Sequence, residues 1–219
     1  MLFVNFLFPA ALLAVAALAL ALPSQSQSQT MELPKGYSIF VPEWEVQAKP
    51  GGDTMILRGT VEEVLDELHG INPNYEHDFG LDLDLDLDFD LSQPTFPSLS
   101  QPAAPAVEKR DDFQDARFQC NVTVLADARV IATGAKYLGG VKGQPRGDPG
   151  PNSCGRVSCS WNSAIWFCND NTHSISAGSY QTLADGTYHI LKQCTAGEWV
   201  SGQTWHKDNW RVLVGRDKC

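Results

Sequence analysis

Cysteine is missing from the first 110 residues of this 219-residue chain; all six, at 120, 154, 159, 168, 194 and 219, follow. The first half therefore cannot be cross-linked by disulfides. Cations are also scarce there: Lys35, Lys49, Arg58, Lys109 and Arg110 face 16 acidic residues, a balance of −11. From Asp111 onward 10 acidic and 11 basic residues give +1. Neither half has the basic excess of a nucleic-acid binder, so that class is excluded. The second half has a single glutamate, Glu198, and three histidines, His173, His189 and His206, which leaves little for acid–base chemistry. So sharp an asymmetry argues for two differently built regions, with the cysteine-bearing one folding in an oxidising compartment.

What is present first is apolar. Leu2 to Leu22 is a nearly unbroken hydrophobic run with no Lys or Arg before it, closing on Ala19-Leu20-Ala21 and followed by Pro23-Ser24-Gln25-Ser26. A small-x-small ending before a polar break is read by signal peptidase, so residues 1–21 are expected to be a signal peptide and the protein to be secreted. The length would also suit an uncleaved anchor. The clustered cysteines favour export, and no stable membrane anchor is expected.

Residues 22–110 read as an acidic, low-complexity propeptide that leaves the N-terminal half largely disordered. Gln25 to Gln29 is a Ser/Gln tract, and Leu81 to Leu91 alternates leucine or phenylalanine with five aspartates. As a strand that alternation would line the aspartates along one face, an unneutralised repulsion, so disorder is favoured. Pro94, Pro97, Pro102 and Pro105 mark Gln93 to Pro105 as a linker. One element stands out: Thr60-Val61-Glu62-Glu63 resembles a capping box, and Val61, Val64, Leu65 and Leu68 share a helical face before Gly70. A short helix at about 60–69 would be marginal without partners.

Lys109-Arg110 ends the linker, ten residues before Cys120. A dibasic pair between a cysteine-free acidic stretch and a cysteine-rich domain is a site for a kexin-type processing protease. Cleavage after Arg110 would leave Asp111–Cys219 as the mature domain, with the propeptide assisting folding or holding that domain inactive until the cut.

In 111–219 the pattern predicts β-α-loop-β-β-α-β-β. Phe118 to Val124 reads as a strand. Asp127 can cap a helix carrying Ala128, Ile131, Ala135 and Leu138, which stops at Gly139-Gly140. Val141 to Gly155 is loop. Arg156 to Trp161 and Ala164 to Asn169 form a hairpin about Asn162-Ser163, with Val157, Cys159 and Trp161 on one face. Tyr180 to Cys194 is a helix weakened by Gly186. Gly197 to Trp205 and Asn209 to Gly215 close the sheet around a turn at His206-Lys207-Asp208, with Trp210, Val212 and Val214 inward. The fold class is α+β: a small antiparallel sheet with two helices on one face, stabilised by disulfides. Six cysteines allow fifteen pairings, and the spacing does not choose among them.

The stretch from Tyr137-Leu138-Gly139-Gly140-Val141 through Cys154-Gly155-Arg156-Val157-Ser158-Cys159 to Trp166-Phe167-Cys168-Asn169-Asp170 resembles small secreted cysteine-rich proteins of filamentous fungi. Ser201-Gly202-Gln203-Thr204-Trp205 and Asn209-Trp210-Arg211-Val212 share the resemblance. Many of those proteins are candidate effectors. The order of elements is also similar to the killer-toxin-like α/β sandwich. The resemblance implies a fungal effector or toxin acting outside the cell on a host or competitor, a protein or glycan target, with no catalytic residues to carry over.

Cys154, Cys159, Cys168 and His173 have a spacing zinc could accept, but exported cysteines in even number pair with one another, so no metal or cofactor is expected. No free thiol remains for nucleophilic catalysis. Glu198, His206 and Arg211 are the residue types a small ribonuclease or hydrolase needs; surface polarity around tryptophans is the plainer reading, and the expectation is a non-enzyme. Arg146-Gly147-Asp148 is an adhesion-type tripeptide in a loop where chance supplies it. Asn121-Val122-Thr123 is a glycosylation sequon whose use needs Asn121 to face outward. Five tryptophans in 109 residues exceed the needs of a small core. Trp161 and Trp166 are expected beside the hairpin. Trp199 and Trp205, with His206 and Arg211, are left as possible binding residues for a protein or a cell-wall glycan.

Overall fold

The computed structural model describes residues 36–81 and 113–219. The expected signal peptide, the Asp82–Leu91 alternation, the proline-rich linker and Lys109-Arg110 lie outside the described residues.

The two long helices start where a side chain can satisfy their free N–H groups. Asp127 accepts from the N–H groups of Arg129 and Val130 and opens α3, Ala128–Gly140. Ser179 accepts from the Thr182 N–H and opens α4, Tyr180–Cys194. Each presents one apolar face: Ile131, Ala135 and Leu138 in α3, Leu183, Ile190 and Leu191 in α4. Gly186, expected to weaken α4, has a packing role. A Cβ there would stand 2.9 Å from both Phe113 and Val212, so the bare backbone lets the helix lie close to the sheet.

That sheet has the order β1-β7-β8-β12-β11-β4. Its members are β1 (Ser38–Phe40), β4 (Phe118–Cys120), β7 (Ser153–Ser160), β8 (Ser163–Asn169), β11 (Gly202–His206) and β12 (Trp210–Arg216). The five strands after residue 113 pair antiparallel, as expected. Short two-residue pairs, β5 (Ala126–Asp127) with β10 (Trp199–Val200) and β6 (Arg146–Gly147) with β9 (Ile175–Ser176), tie in the loops. The segment expected to be loop thus carries β6 and the first residues of β7. The β7–β8 turn falls one residue early, on Trp161-Asn162, both with positive φ (47° and 56°). A two-residue turn of that kind matches strand twist, and it swings Trp161 out of the sheet face to 85 % exposure. A bulge between Arg156 and Ser158 parts two residues expected on one face: Val157 stays in the helix-side core, while Cys159 turns to the other face beside Cys154.

Within the N-terminal half, expected to be largely disordered, residues 36–81 carry β1, a hairpin of β2 (Glu43–Gln47) with β3 (Thr54–Arg58), α1 (Val61–Ile71) and α2 (Tyr75–Phe79). The helix read from the capping box is α1. The Thr60 N–H donates to the Glu63 carboxylate at 2.7 Å, and Val61, Val64, Leu65 and Leu68 are its buried face. The partners it lacked in sequence are the domain's own: α1 packs on α3 and β7. Trp44, Val46, Leu57, Tyr75 and the α1 face belong to one continuous core with α3, α4 and the sheet. The composition is that of a segment unlikely to fold alone: the apolar residues of 36–81 are too few for a core of their own and are buried against another part of the chain.

Three disulfides close the C-terminal region: Cys120–Cys194 joins β4 to the end of α4, Cys154–Cys168 bridges β7 and β8, and Cys159–Cys219 fastens the last residue to β7. No cysteine is free.

Candidate functional site

β-strand alternation separates the sheet into two faces. The helix face takes Phe167, Trp210, Val212 and Val214. The opposite face holds Cys154, Cys168, Trp166 and Leu213, with Cys159, Tyr37 and Val122 beside them. Over this second face lie three guanidinium groups. Arg117 sits 3.7 Å from the Trp205 ring centroid, Arg156 lies 5.8 Å from that of Trp166, and Arg211 lies 5.3 Å from that of Tyr37. A cation over an indole face gains from the ring quadrupole, so these pairs are both ordered and amphipathic.

The predicted residues divide between these surfaces. Trp205 pairs with Arg211 across β11 and β12 and shares the arginine-bearing face. Arg211 is only 4 % exposed. It donates to Asp170, to the Tyr37 hydroxyl at 2.8 Å and to the side-chain Oδ1 of Asn152 at 3.0 Å. His206 points to the other side, stacked on Trp210 at 4.4 Å and close to Phe113. Glu198 precedes β10 and lies 3.6 Å from Arg129 at the start of α3. So Glu198, His206 and Arg211 are not brought together: the sheet separates Arg211 from His206, and β11, at about 3.3 Å per residue, separates His206 from the Glu198 end. Trp199 is 41 % exposed with Arg216 5.9 Å from its ring, away from Trp205. Trp166, by contrast with the neighbouring Trp161, is buried.

Asn121 is exposed at a positive φ of 57° after β4, and the Thr123 hydroxyl donates to the Val214 carbonyl. Arg146 of the adhesion-type tripeptide meets Glu45 at 2.9 Å, and Gly147 is buried under Phe167. The thiols of the zinc reading are consumed: Cys154 bonds Cys168 and Cys159 bonds Cys219. Among the described residues no cluster of three His, Cys, Asp or Glu could hold a metal ion. Nor is any described helix long and apolar enough to cross a membrane.

Sequence reasoning missed one feature of the surface: residues 36–81 already occupy part of it. β1 pairs parallel with the start of β7, Ser38 opposite Ser153 and Phe40 opposite Gly155. Trp44 lies stacked on Tyr180, rings 4.1 Å apart at 12°, and the Tyr180 hydroxyl donates to the Glu43 carbonyl at 3.3 Å. Burial, with the Glu45 charge added, pushes the Tyr180 phenol well above its usual range. The Glu62 carboxylate accepts from the Ser158 hydroxyl at 2.5 Å and from the Cys159 N–H at 3.1 Å. Besides the Thr60–Glu63 box, the alternation of Glu43-Trp44-Glu45-Val46 was a signal for it, a strand with an acidic outer face.

No family model matches the chain, and no curated protein or solved structure matches it.

Proposed function

We propose that this chain is a secreted pre-pro-protein of the fungal effector or toxin type, processed after Lys109-Arg110, whose disulfide-bonded domain acts outside the cell by binding a host or competitor target. The resemblance quoted above motivates the biological setting. The observation that carries binding over catalysis is the character of the surface: Trp161 stands 85 % exposed at a hairpin tip, and Arg117 covers Trp205. The hydrolase set read from the sequence is not assembled: His206 and Arg211 lie on opposite sheet faces and Glu198 lies beside Arg129. Three disulfides suit a molecule that works in an oxidising, protease-rich medium.

Infiltration of host tissue, and killing assays on competitor cells, with the purified secreted protein test this reading. Tissue response or killing that is lost in Trp161→Ala, with RNA left intact, supports it. RNA degradation abolished by His206→Ala would replace it with a nuclease. A second reading, a cell-wall glycan binder, rests on the exposed indoles of Trp161 and Trp199 and the half-buried one of Trp205. It is favoured if chitin or glucan retains the protein and Trp205→Ala releases it.

A further inference from the structure

The contacts of Gly36–Leu81 bear on what processing leaves behind. Only the backbone joins this segment to the domain, since every cysteine lies after residue 110 and pairs there. Cutting between Arg110 and Asp111 therefore removes the single covalent link. It leaves every non-covalent contact in place: the parallel β1–β7 pairing, Trp44 on Tyr180, Glu62 on Ser158 and Cys159, Tyr37 on Arg211. Trp44, Val61, Val64 and Leu68 are each 0 % exposed within a core shared with the domain. An interface that is a core divided between two chains is of the permanent kind.

Departure would expose matching groups on the domain. β7 would become the sheet's edge with its N–H and C=O groups unpaired at Ser153 to Gly155. The fit is also steric. Gly155 faces the Phe40 ring so closely that a Cβ there would overlap it, and the three heavy atoms nearest that position all belong to Phe40. Strand addition at an open edge, with side-chain pockets beside it, is a recurrent mode of peptide binding. Here the added strand is supplied by the chain itself.

We infer that the processed protein is a two-chain complex: Gly36–Leu81 remains seated on the β7 edge and Tyr180 after cleavage, so the cut alone does not uncover that surface. This rests on the processing reading for where the cut falls, not for the seating. Cleavage removes only the advantage of being one chain, an effective concentration on the order of millimolar at most. The shared core and the Glu62 seat remain to hold the pieces.

The experiment uses the full secreted chain, cut in vitro by a kexin-type protease and analysed by gel filtration and native mass spectrometry without reductant. Co-elution of both fragments, separated only by denaturant, is expected. Free domain and free segment after cutting would overturn the inference. If the protease leaves Lys109-Arg110 intact, the processing reading fails on its own. A variant carrying another protease's recognition sequence within Gln93–Pro105 still delivers the same two chains. Trp44→Ala leaves the domain sequence untouched and is expected to raise the dissociation constant at least 100-fold, as is Gly155→Val. Arg58→Ala, on the solvent side of the β2–β3 hairpin, leaves co-elution unchanged. Unaltered dissociation constants in both Trp44→Ala and Gly155→Val would show that the pieces associate elsewhere, and would equally overturn the assignment.

Discussion

Residues 36–81 and 113–219 solve the same stability problem by opposite means. The C-terminal region has a five-stranded sheet, two capped helices and three disulfides of its own. The N-terminal segment has no cross-link and buries Trp44, Val61 and Leu68 against residues it does not own. One region is held by restricting its unfolded state, the other by contacts that vanish on separation. The difference teaches that a cysteine-free acidic segment can be structured without being self-sufficient.

The comparison breaks most readily at the cross-links. Removing Cys120–Cys194, which spans 74 residues, should cost about 4 kcal/mol, against about 3 kcal/mol for Cys154–Cys168, which spans 14. Urea unfolding of the two Cys→Ala double variants checks the order. Next comes the shared core: Trp44→Ala in the uncut chain should cost about 3 kcal/mol by the same measurement, although no disulfide is touched. Smaller is the α3 cap, where Asp127→Ala should cost about 1 kcal/mol. Burial pushes the Asp127 carboxyl up, but the Arg129 side chain and the N–H groups of Arg129 and Val130 outweigh it and hold the carboxyl below its usual range. Its contribution is therefore complete above about pH 4, the unfolded value, and is lost as pH falls through the lower folded value. Stability followed against pH should show that acid loss in the parent and not in Asp127→Asn. The smallest effect is expected at the exposed Arg58–Glu43 pair, where Arg58→Ala should change the unfolding free energy from urea titration by less than about 0.5 kcal/mol.

Much of the C-terminal fold was legible because its signals are local. Asp127 and the spacing of Ile131, Ala135 and Leu138 mark α3, and Trp210, Val212 and Val214 alternate as β12 requires. The misplaced β7–β8 turn shows the limit: Trp161 is apolar enough to be assigned inward, yet backbone twist selects it for a left-handed turn position. The site was less legible. Trp205 and Arg211 do share a face, as paired strand residues must, but the partners of Arg211 include Tyr37, 174 positions away. Disulfide pairing was open for the same reason, since Cys120 and Cys194 meet only after α4 docks on the sheet. The largest departure, the ordered segment 36–81, has a local trace in the Thr60–Glu63 box, whereas its stabilising neighbours lie far along the chain.

Trp44 is the only tryptophan of the first 110 residues, the other five all lying beyond residue 160. Its indole is dry and face to face with Tyr180. Water reaching that ring would shift its emission toward the red. In a chain whose other indoles are replaced by phenylalanine, the colour of the emitted light would report, in real time and without a label, whether residues 36–81 are in place.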